Sequence, residues 1–165
     1  MATITLGGNP ISTSGELPAI GTQAPDFKLE NSDSLFVSLA DFKGSKLVLN
    51  IFPSIETGTC VASVRSFNAK ASGLKNTKVL CISNDLSVVQ KNICESEGLN
   101  NVINLSDAKD GSFGKTYGLE ILDSKLAGKH SRAVIVLDEN GVVVYTEQVQ
   151  EVADEPNYEL ALASL

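Results

Sequence analysis

The sequence predicts an α/β fold: a mixed central sheet with helices on both faces, preceded by an N-terminal β-hairpin. Three observations predict it. Residues 46–52 and 78–83 are short, nearly continuous apolar runs, the mark of strands buried on both faces. Stretches with apolar residues at helical spacing follow each run, and such alternation implies parallel strands joined by right-handed crossovers. Near the end, two apolar runs flank Asp138-Glu139-Asn140-Gly141, a turn signal that adds an antiparallel pair.

The elements follow in order. Thr3-Ile4-Thr5-Leu6, Gly7-Gly8-Asn9-Pro10 and Ile11-Ser12-Thr13 read as strand, turn and strand. Pro18, Gly21 and Pro25 punctuate the passage to Asp26-Phe27-Lys28-Leu29, and a turn at 31–34 leads to Phe36-Val37-Ser38-Leu39. Pro53 ends the first buried run. Val61, Val64 and Phe67 then share one face of a helix running from Thr59 to about Ala71, with Gly73 ending it. After the second run, Asp85 is placed to cap a helix carrying Leu86, Val89 and Ile93, and Gly98 to terminate it. Residues 102–105 form a third strand and 112–117 a short helix. Residues 133–137 and 142–148 form the final hairpin, and Pro156 opens a last amphipathic helix through Leu165. The order is hairpin, then β-α-β-α-β-α-β-β-α, a thioredoxin-like arrangement. A single domain over residues 1–165 is expected, with residues 1–24 as its hairpin extension.

Composition narrows the function. A chain of 165 residues can bury roughly 70% of its unfolded surface and needs no metal or disulfide staple to fold. Net charge of -7 disfavours a phosphate backbone as partner, so nucleic-acid binding is not expected. No apolar run approaches the length of a membrane span. The N-terminus lacks the basic and apolar regions of a secretory signal, so a cytoplasmic location is expected. The three cysteines, Cys60, Cys81 and Cys94, argue against a disulfide framework. With wide spacing and His130 as the single histidine, they also argue against zinc, leaving redox or nucleophilic chemistry.

Cys60 draws attention by position. The segment 52–60 joins a buried strand to a helix, placing Cys60 in the first helical turn, where unpaired backbone N–H groups favour a thiolate. Thr57, three residues earlier, can offer a hydroxyl to the sulfur or to an oxygen beside it, and Pro53 restricts and shields the loop. The competing reading, a buried structural thiol, stays open on position alone.

Pro53-x-x-x-Thr57-x-x-Cys60 resembles the active-site motif of the peroxiredoxins. The longer run Pro53-Ser54-Ile55-Glu56-Thr57-Gly58-Thr59-Cys60-Val61-Ala62-Ser63-Val64-Arg65-Ser66-Phe67-Asn68 is similar to their thiol peroxidase subfamily. So are Glu97-Gly98-Leu99-Asn100-Asn101-Val102, Ser131-Arg132-Ala133-Val134, the N-terminal hairpin and Ala153-Asp154-Glu155-Pro156-Asn157-Tyr158-Glu159. The likeness covers essentially the whole chain. It implies that Cys60 attacks the peroxide O–O bond and becomes a sulfenic acid. It implies that Thr57 and Arg132 hold the thiolate and the peroxide oxygens. It implies that Cys94 resolves the sulfenic acid as an intrachain Cys60–Cys94 disulfide, which requires the two Cα atoms to come within about 7 Å. Local unwinding around 55–64 and 88–98 is then expected. Hydrogen peroxide and organic hydroperoxides as substrates, thioredoxin as reductant and a homodimer are further implications. No cofactor is implied, because sulfur carries both electrons.

Cys81 reads as a core thiol and His130 as a solvent-facing loop residue. Several positions depart from the subfamily pattern. Glu56 stands where aspartate is usual, Gly58 where proline is common, and Ser87-Val88-Val89 replaces Pro-Phe-Ala. Lys129-His130 replaces a usually apolar pair. Pro53, Thr57, Cys60 and Arg132 are all kept. The other class of function is a redox-sensing interaction protein that uses the same disulfide to change shape; a thioredoxin-like reductase is disfavoured by the lack of Cys-x-x-Cys.

Overall fold

In the computed structural model, which describes residues 2–165 other than Thr57 and Asp110, β1 (Thr3–Leu6) and β2 (Asn9–Ser12) form the N-terminal hairpin. Its turn is only Gly7-Gly8, with φ of +59° and +85°. Two consecutive left-handed residues suit glycine and make the tight turn whose twist matches the strands. Asn9 and Pro10, expected in the turn, therefore pair within the hairpin instead, opposite Leu6 and Thr5.

The main sheet is built from β3 (Lys28–Asn31), β4 (Phe36–Ser38), β5 (Lys46–Ile51), β6 (Thr77–Ser83), β7 (Ile103–Ser106), β8 (Ala133–Leu137) and β9 (Val143–Gln148). Their order is β4-β3-β7-β6-β5-β8-β9. β5, β6 and β7 are parallel, while β3, β4, β8 and β9 run antiparallel to their neighbours. The mixed thioredoxin-like sheet expected from the sequence is thus present, extended at one edge by β3 and β4. These two are three or four residues long and mostly half-polar, which is why their pattern did not announce strands of the main sheet.

The helices are α1 (Gly58–Ala71), α2 (Ser87–Glu97), α3 (Ser112–Thr116) and α4 (Tyr158–Ala163), with a single 3₁₀ turn at Leu39–Phe42. Alternate residues of the central strands feed two apolar layers. Leu47, Leu49 and Ile51 pack with Phe27, Phe42 and Phe113 on one face. Val48, Val79, Cys81 and Val134 pack with Val61, Val64 and Phe67 of α1, Cys94 of α2 and Ala161 of α4 on the other. Gly98 ends α2 at φ +68°, its N–H donating to the Cys94 and Glu95 carbonyls, as expected of a left-handed cap.

Two helix starts differ from expectation. Leu86, not Asp85, occupies the cap position of α2 and offers no side-chain bond. The first turn of α2 is tied instead through Ser87, whose hydroxyl donates to the buried Glu30 carboxylate at 2.6 Å. Lys109 pairs with the same carboxylate at 2.6 Å. α4 begins after Pro156, because Asn157 is the residue whose side chain accepts the Leu160 N–H.

Candidate active site

The C-terminal end of β5 delivers the chain into residues 52–56. Phe52 and Ile55 are fully buried, and Pro53 and Ser54 are buried. A loop this buried must find partners for its backbone. Asp85 supplies them: its carboxylate accepts the Ile55 N–H at 2.6 Å and the Ser54 hydroxyl at 2.7 Å. Ser83 steadies the same carboxylate at 2.6 Å, and the Ser106 hydroxyl donates to the Asp85 carbonyl. The residue read as a helix cap is therefore the anchor of the loop before α1.

Cys60 is the third residue of α1 and has no exposed surface. Its carbonyl accepts the Ser63 hydroxyl at 2.7 Å, and Ser63 in turn accepts from the Asn50 amide in β5. Arg132, immediately before β8, reaches the same place. It is 2% exposed, and its Nη2 lies 3.2 Å from Cys60 Sγ. Its Nε donates to the Val152 carbonyl at 2.8 Å. Nη1 is buried without a hydrogen-bond partner among the described residues. The guanidinium therefore faces the Cys60 sulfur directly.

The segment 151–153 adjoins the site, a role that sequence reasoning did not give it, although Ala153 opens the family-like run 153–159. Besides the Val152 carbonyl on Arg132, the Ala153 carbonyl accepts the Thr59 hydroxyl of α1 at 3.1 Å. Glu151 holds this segment to the hairpin, accepting the N–H groups of Gly7, Gly8 and Ala153 and the Thr5 hydroxyl. Those donors pull its carboxyl from the ordinary 4.5 down to about 2, the Ala153 and Gly8 N–H groups leading. No single-residue signal marks this segment; only the tertiary pairing of hairpin and C-terminal chain reveals it.

The structure brings Cys60 and Arg132 together, and Pro53 lies buried in the loop that leads into α1. Thr57 lies outside the described residues. Cys94 shares the apolar layer under Cys60, but its thiol faces the Asn104 side chain at 3.5 Å. No disulfide joins the three cysteines in this structure. Burial raises the Cys94 thiol above its ordinary value, with Asn104 partly offsetting it. Cys81, at the centre of β6, is pushed up to about 12 by burial, which fits the inert core thiol expected. His130 corrects an expectation. It is 1% exposed, not solvent-facing, and its Nε2 is 2.9 Å from the buried Asp107 carboxylate. A pairing partner 23 residues away is invisible in the local pattern. A cavity of about 340 Å³, lined by Ala24, Leu39, Phe42 and Leu47 among others, lies at the other end of β5 from Pro53.

Residues 19–162 match the family model described as Redoxin. The chain belongs to the redoxin family. Within it, the chain is 49% identical over 165 residues to the thiol peroxidase of Mycobacterium tuberculosis (strain H37Rv), spanning 100% of this chain and 99% of that one. It is 48% identical to the thiol peroxidase of Corynebacterium glutamicum over the same span. A solved peroxiredoxin-like protein from Aquifex aeolicus superposes with a TM-score of 0.92 at 32% identity, covering 99% of this chain and 96% of that chain. The peroxiredoxin resemblance is borne out, and with it the thioredoxin-like fold. No helix among the described residues is long and apolar enough to cross a membrane.

Proposed function

We propose that this redoxin is a thiol-dependent hydroperoxide reductase in which Cys60 attacks the peroxide. The observation that carries the reading is the buried Arg132 guanidinium 3.2 Å from Cys60 Sγ at the start of α1. The thiolate sulfur displaces the distal peroxide oxygen's partner: an S–O bond forms and the O–O bond breaks. Cys60 becomes a sulfenic acid and the alkoxide or hydroxide leaves, taking a proton to become alcohol or water. Arg132 serves both ends of that step. Nη2 steadies the thiolate, and Nη1, buried without a partner among the described residues, is the donor available to a peroxide oxygen as charge moves onto it. Thr57, by its place in the motif, would supply a second donor, and Pro53 closes the loop side against water.

Cys94 completes the cycle as the resolving thiol. Its sulfur attacks the sulfenic sulfur, an S–S bond forms and water leaves. The well-formed α2 and the Cys94–Asn104 contact must open for this, so disulfide formation includes unwinding of 88–98. A dithiol protein of the thioredoxin type then reduces the Cys60–Cys94 disulfide. Residues 1–165 act as one domain, with the hairpin of residues 1–24 as an extension bound through Glu151. The exposed Leu86 and Val88 beside Asp85 support a homodimer contact near the site. A cytoplasmic setting fits a cysteine pair that cycles between thiols and a transient disulfide.

The test is a steady-state peroxide assay with thioredoxin and its reductase. The reading predicts sustained turnover by the wild type, and one turnover followed by a stall for Cys94→Ser. A wild type that forms the disulfide but does not turn over would favour the redox-sensing alternative.

A further inference from the structure

His130 is a departure from the subfamily pattern that the reaction as described leaves without a role. Its imidazole is 1% exposed and Nε2 meets the Asp107 carboxylate at 2.9 Å. That carboxylate also accepts the Gly114 N–H at 3.2 Å and the Phe113 N–H at 3.4 Å, both in α3. The ring packs edge-on to Phe113, and a Cβ at Gly114 would come within 2.8 Å of it, so the site is shaped around an imidazole. The backbone of the same residue is tied too: His130 N–H donates to the Asn84 side chain at 3.1 Å, and Ser131 N–H to the Leu119 carbonyl at 2.8 Å.

These bonds converge on the two halves of the active site. Asn84 adjoins Asp85, which anchors the loop entering α1. Asp107 adjoins Ser106, whose hydroxyl holds the Asp85 carbonyl. Arg132 is two residues beyond His130 and meets Cys60. A displacement of about 1 Å between reacting groups can cost roughly a hundredfold in rate, so whatever fixes residues 130–132 against 84–85 bears on peroxide attack.

We propose that the buried His130–Asp107 pair is a positioning device that sets Arg132 against Cys60, with His130 acting through Arg132 and not by touching the peroxide. The inference rests on the reading of Arg132 as the group that steadies thiolate and peroxide. An imidazole Nε2–H donating to Asp107 fixes the segment in a direction an apolar side chain cannot, because a methyl group offers no donor to a buried carboxylate.

The test is a double-mutant cycle on the rate of Cys60 oxidation by hydrogen peroxide in stopped flow, using His130→Leu, His130→Gln, Arg132→Lys and the pairwise combinations. His130→Leu is expected to slow oxidation by roughly tenfold or more. His130→Gln, whose amide N–H can replace Nε2–H, is expected to recover most of that loss. In the Arg132→Lys background, His130→Leu is expected to cost less than about twofold, since groups acting as one unit are non-additive. Equal oxidation rates in wild type and His130→Leu would overturn the proposal, as would full additivity with Arg132→Lys. If His130→Leu does not fold, Asp107→Asn keeps the volume, weakens the same hydrogen bond and reads the same cycle. If Arg132→Lys alone leaves oxidation unchanged, the reading of Arg132 has failed. If it slows oxidation and the cycle is additive, only the positioning role has.

Discussion

Replacing Asp85 by alanine tests how the reactive loop is held. The carboxylate accepts from the Ile55 N–H, the Ser54 hydroxyl and the Ser83 hydroxyl, all within 2.7 Å. Hydrogen bonds to a charged group contribute about 1.5–3 kcal/mol each, but the three share one anchor and are not additive. The decisive loss is the Ile55 N–H, on a fully buried residue whose desolvation then goes uncompensated. Asp85 itself is half-buried, so water can take over part of its role. A net destabilisation of about 2–4 kcal/mol follows, which for a chain of this size lowers Tm by roughly 5–15 °C. Asp85→Asn should recover at least half of this. Its Oδ1 can accept the Ile55 N–H while its Nδ2 donates to Ser54, whose hydroxyl can turn to accept. Urea unfolding of the reduced protein gives the stability, and stopped-flow oxidation of Cys60 gives the functional cost. A loss below about 0.5 kcal/mol for Asp85→Ala, the range of an ordinary surface change, would refute the reasoning. So would Asp85→Asn and Asp85→Ala being equally unstable.

Glu151 has a depressed carboxyl, so its stabilising effect is complete above the ordinary 4.5 and is lost as pH falls toward about 2. An acid titration followed by circular dichroism should show the wild type losing stability over that window more steeply than Glu151→Gln, and parallel curves would count against the hairpin clamp. The Cys81 thiol, pushed up to about 12, should resist iodoacetamide at pH 8 in the folded reduced protein and label only on unfolding; rapid native labelling would remove it from the core. Hydrogen exchange should change at amides 55–64 and 88–98 between reduced and oxidised protein, because Cys94 sits in the last turns of a complete α2. Identical protection in both forms would argue against the resolving role.

Much of the reactive centre was legible because its signals are local. An apolar run, a proline and a cysteine at a helix start are consecutive features, and the resemblance singled out Cys60 and Arg132, which the structure sets 3.2 Å apart. The parallel strands β5 and β6 were legible for the same reason, each carrying a nearly continuous apolar run. What was not legible depends on partners distant in sequence. Asp85 looks like a helix cap until Ser54 and Ile55, some 30 residues earlier, are seen to occupy its oxygens. His130 looks solvent-facing because polarity predicts exposure, and only Asp107 makes its burial affordable. The carbonyls of Val152 and Ala153 carry no side-chain signature at all, and β3 and β4 are too short and too polar for a period to show.

The central claim is that Cys60 is the atom's-length contact with peroxide, and it is tested most directly by adding one equivalent of hydrogen peroxide to reduced wild type and to Cys60→Ser. The wild type should consume the peroxide and yield a Cys60–Cys94 disulfide in peptide mapping, while Cys60→Ser, with Cys81 and Cys94 intact, should leave it in solution. Consumption by Cys60→Ser at the wild-type rate would contradict the account.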